Sequence, residues 1–195
     1  MKSLVIATNN QGKVREIKAI LGGLYDDIKS LKEAGIILEV AEDGDTFEQN
    51  AVKKALQAYE IAGCDTLADD SGLCVEALCG APGVYSARYA GDNATDEENN
   101  NKLLWEMRGI KNRRAKFVCV MAFVSQGSVI TASGEVEGDI AYSPSGGGGF
   151  GYDPIFISRE FGQTFGELPE GIKNSISHRA RALASLKEKL LERRV

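Results

Sequence analysis

Two adjacent carboxylates, Asp69 and Asp70, are the residues in this sequence whose types and spacing most suggest chemistry. They follow a short apolar stretch at 66–68 and precede Ser71-Gly72, a pattern that predicts a loop after a strand. Like charges this close repel each other, so such a pair usually shares a proton or a cation. Carboxylate oxygens suit Mg²⁺, whose coordination is completed by water and substrate phosphates. The segment is either a metal site, to which Glu42 could add a third carboxylate, or a solvated turn.

A polar turn near the N-terminus could hold an anion. It reads Thr8-Asn9-Asn10-Gln11-Gly12-Lys13 and lies between a predicted strand and a predicted helix. Backbone N–H groups at the start of a helix and a lysine ammonium group both favour phosphate. The same residue types also occur in turns for their geometry alone, so both interpretations stay open here.

The glycine-rich segment 146–153 has the composition of a loop that contacts a flat ligand. Its glycines allow the backbone to approach closely, and Phe150 and Tyr152 offer stacking faces. Asp153 can accept hydrogen bonds from the edge of a base. No Gly-Lys-Ser/Thr follows, so this is not a Walker loop. A flexible loop with a core aromatic is the alternative.

A basic cluster lies near the C-terminus. Lys173 and Arg179 can hold anionic oxygens, and His178 can donate a hydrogen bond to a phosphate or to a base carbonyl. A single histidine is more often passive, but its basic neighbours favour a role in binding.

The charge distribution and the cysteines exclude some classes of function. A formal net charge of -5 argues against a general nucleic-acid-binding protein. The four cysteines form no Cys-x-x-Cys pair and the one histidine is distant in sequence, so zinc has no support. The first residues contain no apolar stretch long enough for a signal peptide or a membrane span. We therefore expect a cytoplasmic protein that does not bind membranes.

The elements that must position these residues follow from hydrophobic periodicity and capping signals. Strands are predicted at 3–7, 66–68, 73–78, 115–125, 128–138 and 152–157. The strands at 115–125 and 128–138 are predicted to form a hairpin that turns at Gln126-Gly127. Helices are predicted at 13–21, 46–62, 95–108 and 177–192. Thr46 with Gln49, and Thr95 with Glu98, predict capping boxes. Because strands and helices alternate and no linker or repeat is visible, we predict one α/β domain with a mixed sheet.

Six blocks carry a resemblance to a known family. They are Thr8-x-Asn10-x-x-Lys13, Glu42-Asp43-Gly44-x-Thr46-Phe47 with Asn50-Ala51, Ala68-Asp69-Asp70-Ser71-Gly72-Leu73, Gly80-Ala81-Pro82-Gly83-Val84-Tyr85-Ser86-Ala87-Arg88, Gly149-Phe150-Gly151-Tyr152-Asp153-Pro154 and Ser177-His178-Arg179. In this order, over nearly the whole chain, they resemble the inosine triphosphate pyrophosphatase or Ham1-like family of non-canonical purine nucleotide pyrophosphatases.

The resemblance implies a fold, a reaction and a cofactor. The fold would be a single two-lobed domain over 1–195, built around a long twisted mixed sheet with a cleft between the lobes, and usually a homodimer. The reaction would be hydrolysis of ITP, dITP or XTP to the monophosphate and pyrophosphate, with Mg²⁺ as cofactor.

The resemblance also implies residue roles. Asp70 would be the catalytic base, Asp69 would be a second residue that shares the role of base or of metal ligand, and Glu42 and Asp70 would bind Mg²⁺. The triphosphate would contact Thr8, Asn9, Asn10, Gln11, Gly12 and Lys13, with Lys54 facing the phosphates. The nucleotide would contact Ser71, Phe150, Gly151, Tyr152, Asp153, Lys173, His178 and Arg179. Some relatives have an acidic residue at the position of Ala41. This chain therefore lacks one additional carboxylate beside Glu42.

Two rival interpretations remain at this point. A Maf-like pyrophosphatase would act on modified pyrimidine nucleotides, but the aromatic-glycine block and Ser177-His178-Arg179 argue against it. A nucleotide-binding regulatory module would keep the pocket without turnover. Such a module would be expected to lose a metal carboxylate, yet Glu42, Asp69 and Asp70 are all present.

Overall fold

Residues 2–21 and 23–192 of the protein are described by a computed structural model. The described residues form a six-stranded sheet in the order β2-β1-β3-β4-β5-β6. Its strands are β1 (Ser3–Ile6), β2 (Asp27–Ser30), β3 (Asp65–Val75), β4 (Arg114–Ser125), β5 (Ser128–Ile140) and β6 (Phe156–Ser158). Strand β1 runs parallel to β2 and β3, and β5 runs antiparallel to β6. The predicted α/β class with a mixed sheet is therefore confirmed.

Five α-helices accompany the described strands. They are α1 (Gln11–Leu21), α2 (Phe47–Ala62), α3 (Asp96–Glu106), α4 (Glu170–Ile176) and α5 (His178–Glu192). None of them, within the part of the chain that is described, is long and apolar enough to cross a membrane.

The chain separates into two compact units. The first comprises Met1–Asp70, Cys119–Gly134 and Arg179–Val195, and the second comprises Ser71–Val118 and Glu135–His178. The three central strands β3, β4 and β5 each pass from one unit to the other. A cleft, which the family resemblance implies, stays a prediction.

The first unit has a hydrophobic core on each face of its strands. Alternate strand residues point to opposite faces, so Leu67 packs with residues of α1 and α5, whereas Ala68 packs with residues of α2. The second unit has one core, in which the rings of Phe117 and Phe156 lie 4.5 Å apart between centroids. These cores fix which side chains of β3 meet which helices.

The predicted loop at Asp69-Asp70-Ser71-Gly72 was wrong, because these residues lie in the middle of strand β3. Both aspartates are buried, with 1% and 5% of their surfaces exposed. A strand can carry buried carboxylates when cationic side chains from elsewhere in the chain neutralise them. The cationic partners lie on helices that are distant in sequence. The residues next to Asp69 and Asp70 gave no sign of them and therefore predicted a turn.

Other boundaries also differ from the predictions. Strand β3 ends at Val75, where a 3₁₀ turn over Glu76–Leu78 follows, and β6 starts only at Phe156, after another 3₁₀ turn over Asp153–Ile155. Strand β2 and helix α4 were not predicted, since both are short. The hairpin turn at Gln126-Gly127 was predicted correctly. Both residues have positive φ, 50° and 74°, as a two-residue hairpin turn requires.

The two predicted capping boxes have different outcomes. At α3 the box is complete, with Thr95 and Glu98 satisfying each other's backbone N–H groups. At α2, Oγ1 of Thr46 accepts from the N–H of Gln49, but the Gln49 side chain accepts from the N–H of Asp45 instead of that of Thr46. The start of α2 was therefore predicted correctly. The second hydrogen bond of its capping box comes from the N–H of Asp45, one residue before Thr46.

Candidate active site

Strand β3 directs its two aspartates to opposite sides of the sheet in the first unit. Asp69 shares the face of Leu67, which is covered by α1 and α5, and Asp70 shares the face of Ala68, which is covered by α2. Each carboxylate therefore meets a different set of partners. This separation allows one aspartate to serve the fold and the other to serve chemistry.

Asp69 lies in a buried network of ion pairs. Its Oδ2 atom accepts from Nε and Nη2 of Arg179 at 3.3 Å and 3.2 Å, and lies 3.1 Å from Nζ of Lys13. Arg179 also donates to Glu16, and both of these residues are buried. Glu16 was not singled out in the sequence, where it reads as an ordinary charged residue of a helix.

This network keeps Asp69 ionised. Burial alone would raise its pKa, but the charges of Lys13 and Arg179 outweigh burial and hold the pKa well below the ordinary range. A carboxylate with so low a pKa is a poor proton acceptor near neutral pH. Asp69 is thus suited to bracing Lys13 and Arg179 and poorly suited to act as a base.

Asp70 is held by α2 instead. Its Oδ2 accepts from Nδ2 of Asn50 at 3.0 Å, and its Oδ1 lies 3.2 Å from Nζ of Lys54. Asn50 and Lys54 are four residues apart on one helix, so their side chains lie on the same face. The same ammonium group of Lys54 lies 2.9 Å from Oε1 of Glu42. The structure therefore brings together Glu42, Lys54 and Asp70, which the sequence places far apart.

Asn50 connects this cluster to the segment that carries Glu42. Its Oδ1 accepts from the N–H of Gly44 at 2.8 Å while its Nδ2 donates to Asp70. A Cβ added at Gly44 would lie 2.7 Å from that same Oδ1 atom, so glycine permits the close approach. The sequence showed Asn50 only as part of a family block, with no role of its own.

The electrostatics of Asp70 differ from those of Asp69. Burial raises the pKa of Asp70, and the nearby charge of Glu42 raises it further, against the lowering influence of Lys54 and Lys13. Burial disfavours the charged form of Lys54, but Asp70 and Glu42 together raise its pKa above the ordinary value. The two aspartates therefore differ in electrostatics as well as in partners, since the pKa of Asp69 is lowered and that of Asp70 is raised.

The oxygens of Glu42 and Asp70 form a donor set that suits a hard cation. Both carboxylates converge on the single ammonium group of Lys54, which shows that one cation can contact both. Across residues 2–21 and 23–192 no group of three or more His, Cys, Asp or Glu side chains is placed so that it could hold a metal ion by itself. A cation bound by two carboxylates keeps positions for water and phosphate, which fits Mg²⁺ better than a fully coordinated structural metal.

The predicted phosphate segment forms the start of helix α1. Asn10 Oδ1 accepts from the N–H groups of Gly12 and Lys13 at 2.9 Å and 3.2 Å, and Thr8 Oγ1 accepts from the N–H of Asn10 at 3.2 Å. Asn9, Asn10 and Gln11 are exposed, whereas Thr8, Gly12 and Lys13 are half-buried. Two of the N–H groups expected to face an anion are thus capped by Asn10, and the contact with phosphate stays a prediction.

In the second unit, Phe150, Asp153 and Lys173 form a compact group. Oδ2 of Asp153 accepts from the N–H of Phe150 at 2.8 Å and from Nζ of Lys173 at 2.6 Å. The same Nζ lies 4.6 Å from the centroid of the Phe150 ring. Asp153 and Lys173 are both buried, so they support the half-buried Phe150. Their predicted contacts with a nucleotide stay predictions.

Tyr152 does not offer the stacking face that the sequence predicted. Its ring is buried in the core of the second unit, and its hydroxyl donates to the carbonyl oxygen of Ser86 at 2.8 Å. A large aromatic ring next to a glycine-rich loop can pack in a hydrophobic core or stack on a ligand. The sequence alone does not distinguish these two roles. The predicted contact of Tyr152 with the nucleotide stays a prediction.

The remaining predicted residues are Ser71, which is half-buried, and His178, which is buried. The imidazole of His178 stacks on Phe117, with centroids 4.7 Å apart and planes 12° from parallel. Arg179 is 1% exposed and held by Asp69 and Glu16. A predicted contact of His178 or Arg179 with the nucleotide stays a prediction.

The chain is similar to known proteins over almost its entire length. The sequence model of the Ham1 family matches residues 4–189. The dITP/XTP pyrophosphatase of Clostridium tetani is 53% identical over 194 residues, covering 97% of this chain and 96% of that protein. That of Geobacter sulfurreducens is 55% identical over 193 residues, covering 97% of each. The Ham1 protein of Staphylococcus aureus has a solved structure with a TM-score of 0.88 and 41% identity, covering 98% of this chain and 100% of that one.

Proposed function

This chain belongs to the Ham1 family, and we propose that it hydrolyses dITP, ITP and XTP to the monophosphate and pyrophosphate. The proposal is supported by relatives at 53% and 55% identity that bear the name dITP/XTP pyrophosphatase and match over 96% and 97% of their length. The observation that carries it is the cluster in which Lys54 contacts both Glu42 and Asp70. A nucleotide-binding module without turnover would be expected to have lost one of these carboxylates.

Mg²⁺ is the proposed cofactor, with Glu42 and Asp70 as its protein ligands. When bound, it neutralises charge on the phosphates and polarises the phosphorus centre that is attacked. Lys54 is placed between these carboxylates, and its raised pKa keeps it cationic. It would turn from the carboxylates to the phosphates as nucleotide and metal arrive together.

The chain's own residues then have separate tasks in the hydrolysis. Cleavage between the α- and β-phosphates requires a water molecule aligned with the α-phosphorus and stabilisation of the leaving pyrophosphate. Asp70, fixed by Asn50, would orient that water and accept its proton. Lys13 and Lys54 would stabilise the leaving group, and Asp69 would keep Lys13 in place.

Selectivity requires recognition of a 6-keto purine. Hydrogen-bond donors around the 6-oxygen favour the keto form, because a 6-amino base would leave them buried and unpaired. His178 and Arg179 are the side-chain donors proposed for this role. GTP also carries a 6-keto group, so its exclusion needs a further element at position 2 of the base.

The assembly and location of the protein are two further proposals. We propose a homodimer in the cytoplasm that acts on free nucleotides and binds neither nucleic acid nor membranes. Light scattering coupled to gel filtration measures the assembly directly, and a mass of one chain at micromolar concentration would refute the dimer.

The proposed activity is tested with purified protein, Mg²⁺ and a panel of dITP, ITP, XTP, GTP, dATP and dTTP. Pyrophosphate and orthophosphate are quantified separately. The proposal expects pyrophosphate as the product, with dITP, ITP and XTP turned over much faster than the other three. Orthophosphate alone, a preference for dTTP, or no turnover would each reject it; the second would point to the Maf-like rival and the third to a binding module.

A further inference from the structure

The loop that carries Phe150 is held by helix α3 through its backbone. The carboxylate Oδ2 of Asp96 accepts from the N–H of Gly151 at 2.7 Å, and Nδ2 of Asn100 donates to the carbonyl oxygen of Gly151 at 3.0 Å. Asp96 and Asn100 are four residues apart, so they project from the same face of α3. One turn of one helix therefore holds both hydrogen-bonding groups of a single residue in the loop.

These bonds fix the backbone from which the Phe150 side chain projects. The N–H of Phe150 is held by Asp153 at 2.8 Å, and the next N–H, that of Gly151, is held by Asp96. The peptide groups on both sides of the Phe150 Cα are thus fixed, which fixes its φ and ψ and the direction of its Cβ. Gly151 itself has a φ of 61°, a left-handed conformation that glycine adopts without strain.

Helix α3 is a rigid support for this task. Its N-terminus is closed by the complete capping box of Thr95 and Glu98, and Asp96 is the first residue of the helix. Asn100 is buried, with 6% of its surface exposed, and its bond to Gly151 is partly buried, whereas the bond to Asp96 is exposed. Because buried hydrogen bonds are costly to lose, Asn100 is expected to contribute more than the exposed Asp96.

We propose that Asp96 and Asn100 are positioning residues that hold Phe150 in the orientation needed to stack on the purine base. This inference rests on the proposed function, and it adds two residues that do not themselves touch the nucleotide. Their loss would leave the cluster of Glu42, Lys54 and Asp70 unchanged. They should therefore affect the KM for the nucleotide and leave the kcat nearly unchanged.

The test uses Asp96→Ala and Asn100→Leu in the full-length protein, with Glu97→Ala as the matched control. Glu97 is exposed and lies in the same first turn of α3, so its removal reproduces the lost helix-terminal charge without affecting Gly151. Asp96→Asn keeps an oxygen acceptor and should restore most of the wild-type behaviour. Melting temperatures identify any variant that fails to fold; Asp96→Ala, at an exposed site, is the variant expected to fold in any case.

Two readouts are measured, one of them independent of turnover. Amide hydrogen exchange of Gly151 should be protected in the wild type and in Glu97→Ala, and should accelerate at least about tenfold in Asp96→Ala, since its acceptor is gone. The KM for dITP should rise about threefold in Asp96→Ala and about tenfold in Asn100→Leu, as expected for losing one exposed and one buried hydrogen bond. The kcat should stay within about twofold of the wild type.

The outcomes separate this inference from the proposed function. Unchanged protection of Gly151 in Asp96→Ala, or an unchanged KM in both variants while the wild type hydrolyses dITP, overturns the positioning role alone. Equal effects of Glu97→Ala and Asp96→Ala would also overturn it, because helix charge would then explain the result. No turnover by the wild type rejects the proposed function and the positioning role with it.

Discussion

Nζ of Lys54 lies 3.2 Å from Oδ1 of Asp70, across a contact in which both side chains are largely buried. The same ammonium group reaches Glu42, so a single cation joins a residue of the segment before α2 to a residue in the middle of β3. A lysine in this position holds two carboxylates together where the proposed Mg²⁺ would bind. This arrangement gives the cluster its proposed role and leads to the first prediction.

Glu42→Gln should weaken the use of Mg²⁺. Removing one of two proposed carboxylate ligands should raise the Mg²⁺ concentration that gives half-maximal pyrophosphate release by at least about tenfold. Asp43→Asn is the control, since Asp43 is the neighbouring acid and pairs at the surface with Lys53. A Glu42→Gln curve that overlays the wild-type curve would remove Glu42 from the metal site.

Asp69→Asn should destabilise the fold. It leaves the buried Arg179 with one carboxylate partner fewer, and breaking a buried ion pair typically costs about 3 to 5 kcal/mol. Urea unfolding followed by circular dichroism gives the free energy of unfolding. The control is Glu135→Gln, which breaks an exposed pair with Lys116 and should cost less than about 1 kcal/mol. Equal losses in the two variants would contradict the structural role of Asp69.

The same carboxylate predicts how stability depends on pH. Lys13 and Arg179 hold the pKa of Asp69, against the effect of burial, far below the value of about 3.9 that it has in an unfolded chain. A group with a lowered pKa in the folded state stabilises above its unfolded pKa, and this contribution is lost as the pH falls towards its folded pKa. The free energy of unfolding should therefore fall from about pH 5 to pH 3 more steeply in the wild type than in Asp69→Asn. Parallel curves would contradict this prediction.

Tyr152→Phe and Phe150→Ala should have different effects. Losing the hydroxyl that donates to Ser86 should lower the free energy of unfolding by about 1 kcal/mol. Phe150 is only half-buried, so its removal should raise the KM for dITP by more than Tyr152→Phe does. A larger rise in KM for Tyr152→Phe would show that the ring of Tyr152 contacts the nucleotide after all.

Features with a local cause were predictable from the sequence. The capping box of Thr95 and Glu98 and the hairpin turn at Gln126-Gly127 each need only residues adjacent in the chain. The alternation of strands and helices was sufficient to predict the α/β class. Short elements such as β2 contain too few residues for a periodic pattern and were missed.

Features determined by distant partners were not predictable. The continuity of β3 through Asp69 and Asp70 depends on Lys13, Lys54 and Arg179, which neutralise the carboxylates from three different helices. The two aspartates have different partners because side chains alternate along a strand, and a predicted loop gives no such alternation. Their separate roles in the fold and in catalysis are proposed from these partners. Asn50 and Glu16 acquire their roles only when these helices pack on the sheet.

The most direct test of the account is the kcat of Asp70→Asn, measured as pyrophosphate released from dITP with saturating Mg²⁺. Asn keeps the size of the side chain and an oxygen acceptor for Asn50, so the fold should survive, with a melting temperature close to that of the wild type. The account predicts a loss of at least about 100-fold in kcat, as expected when a general base is removed. A folded Asp70→Asn variant that releases pyrophosphate within tenfold of the wild-type rate would contradict it.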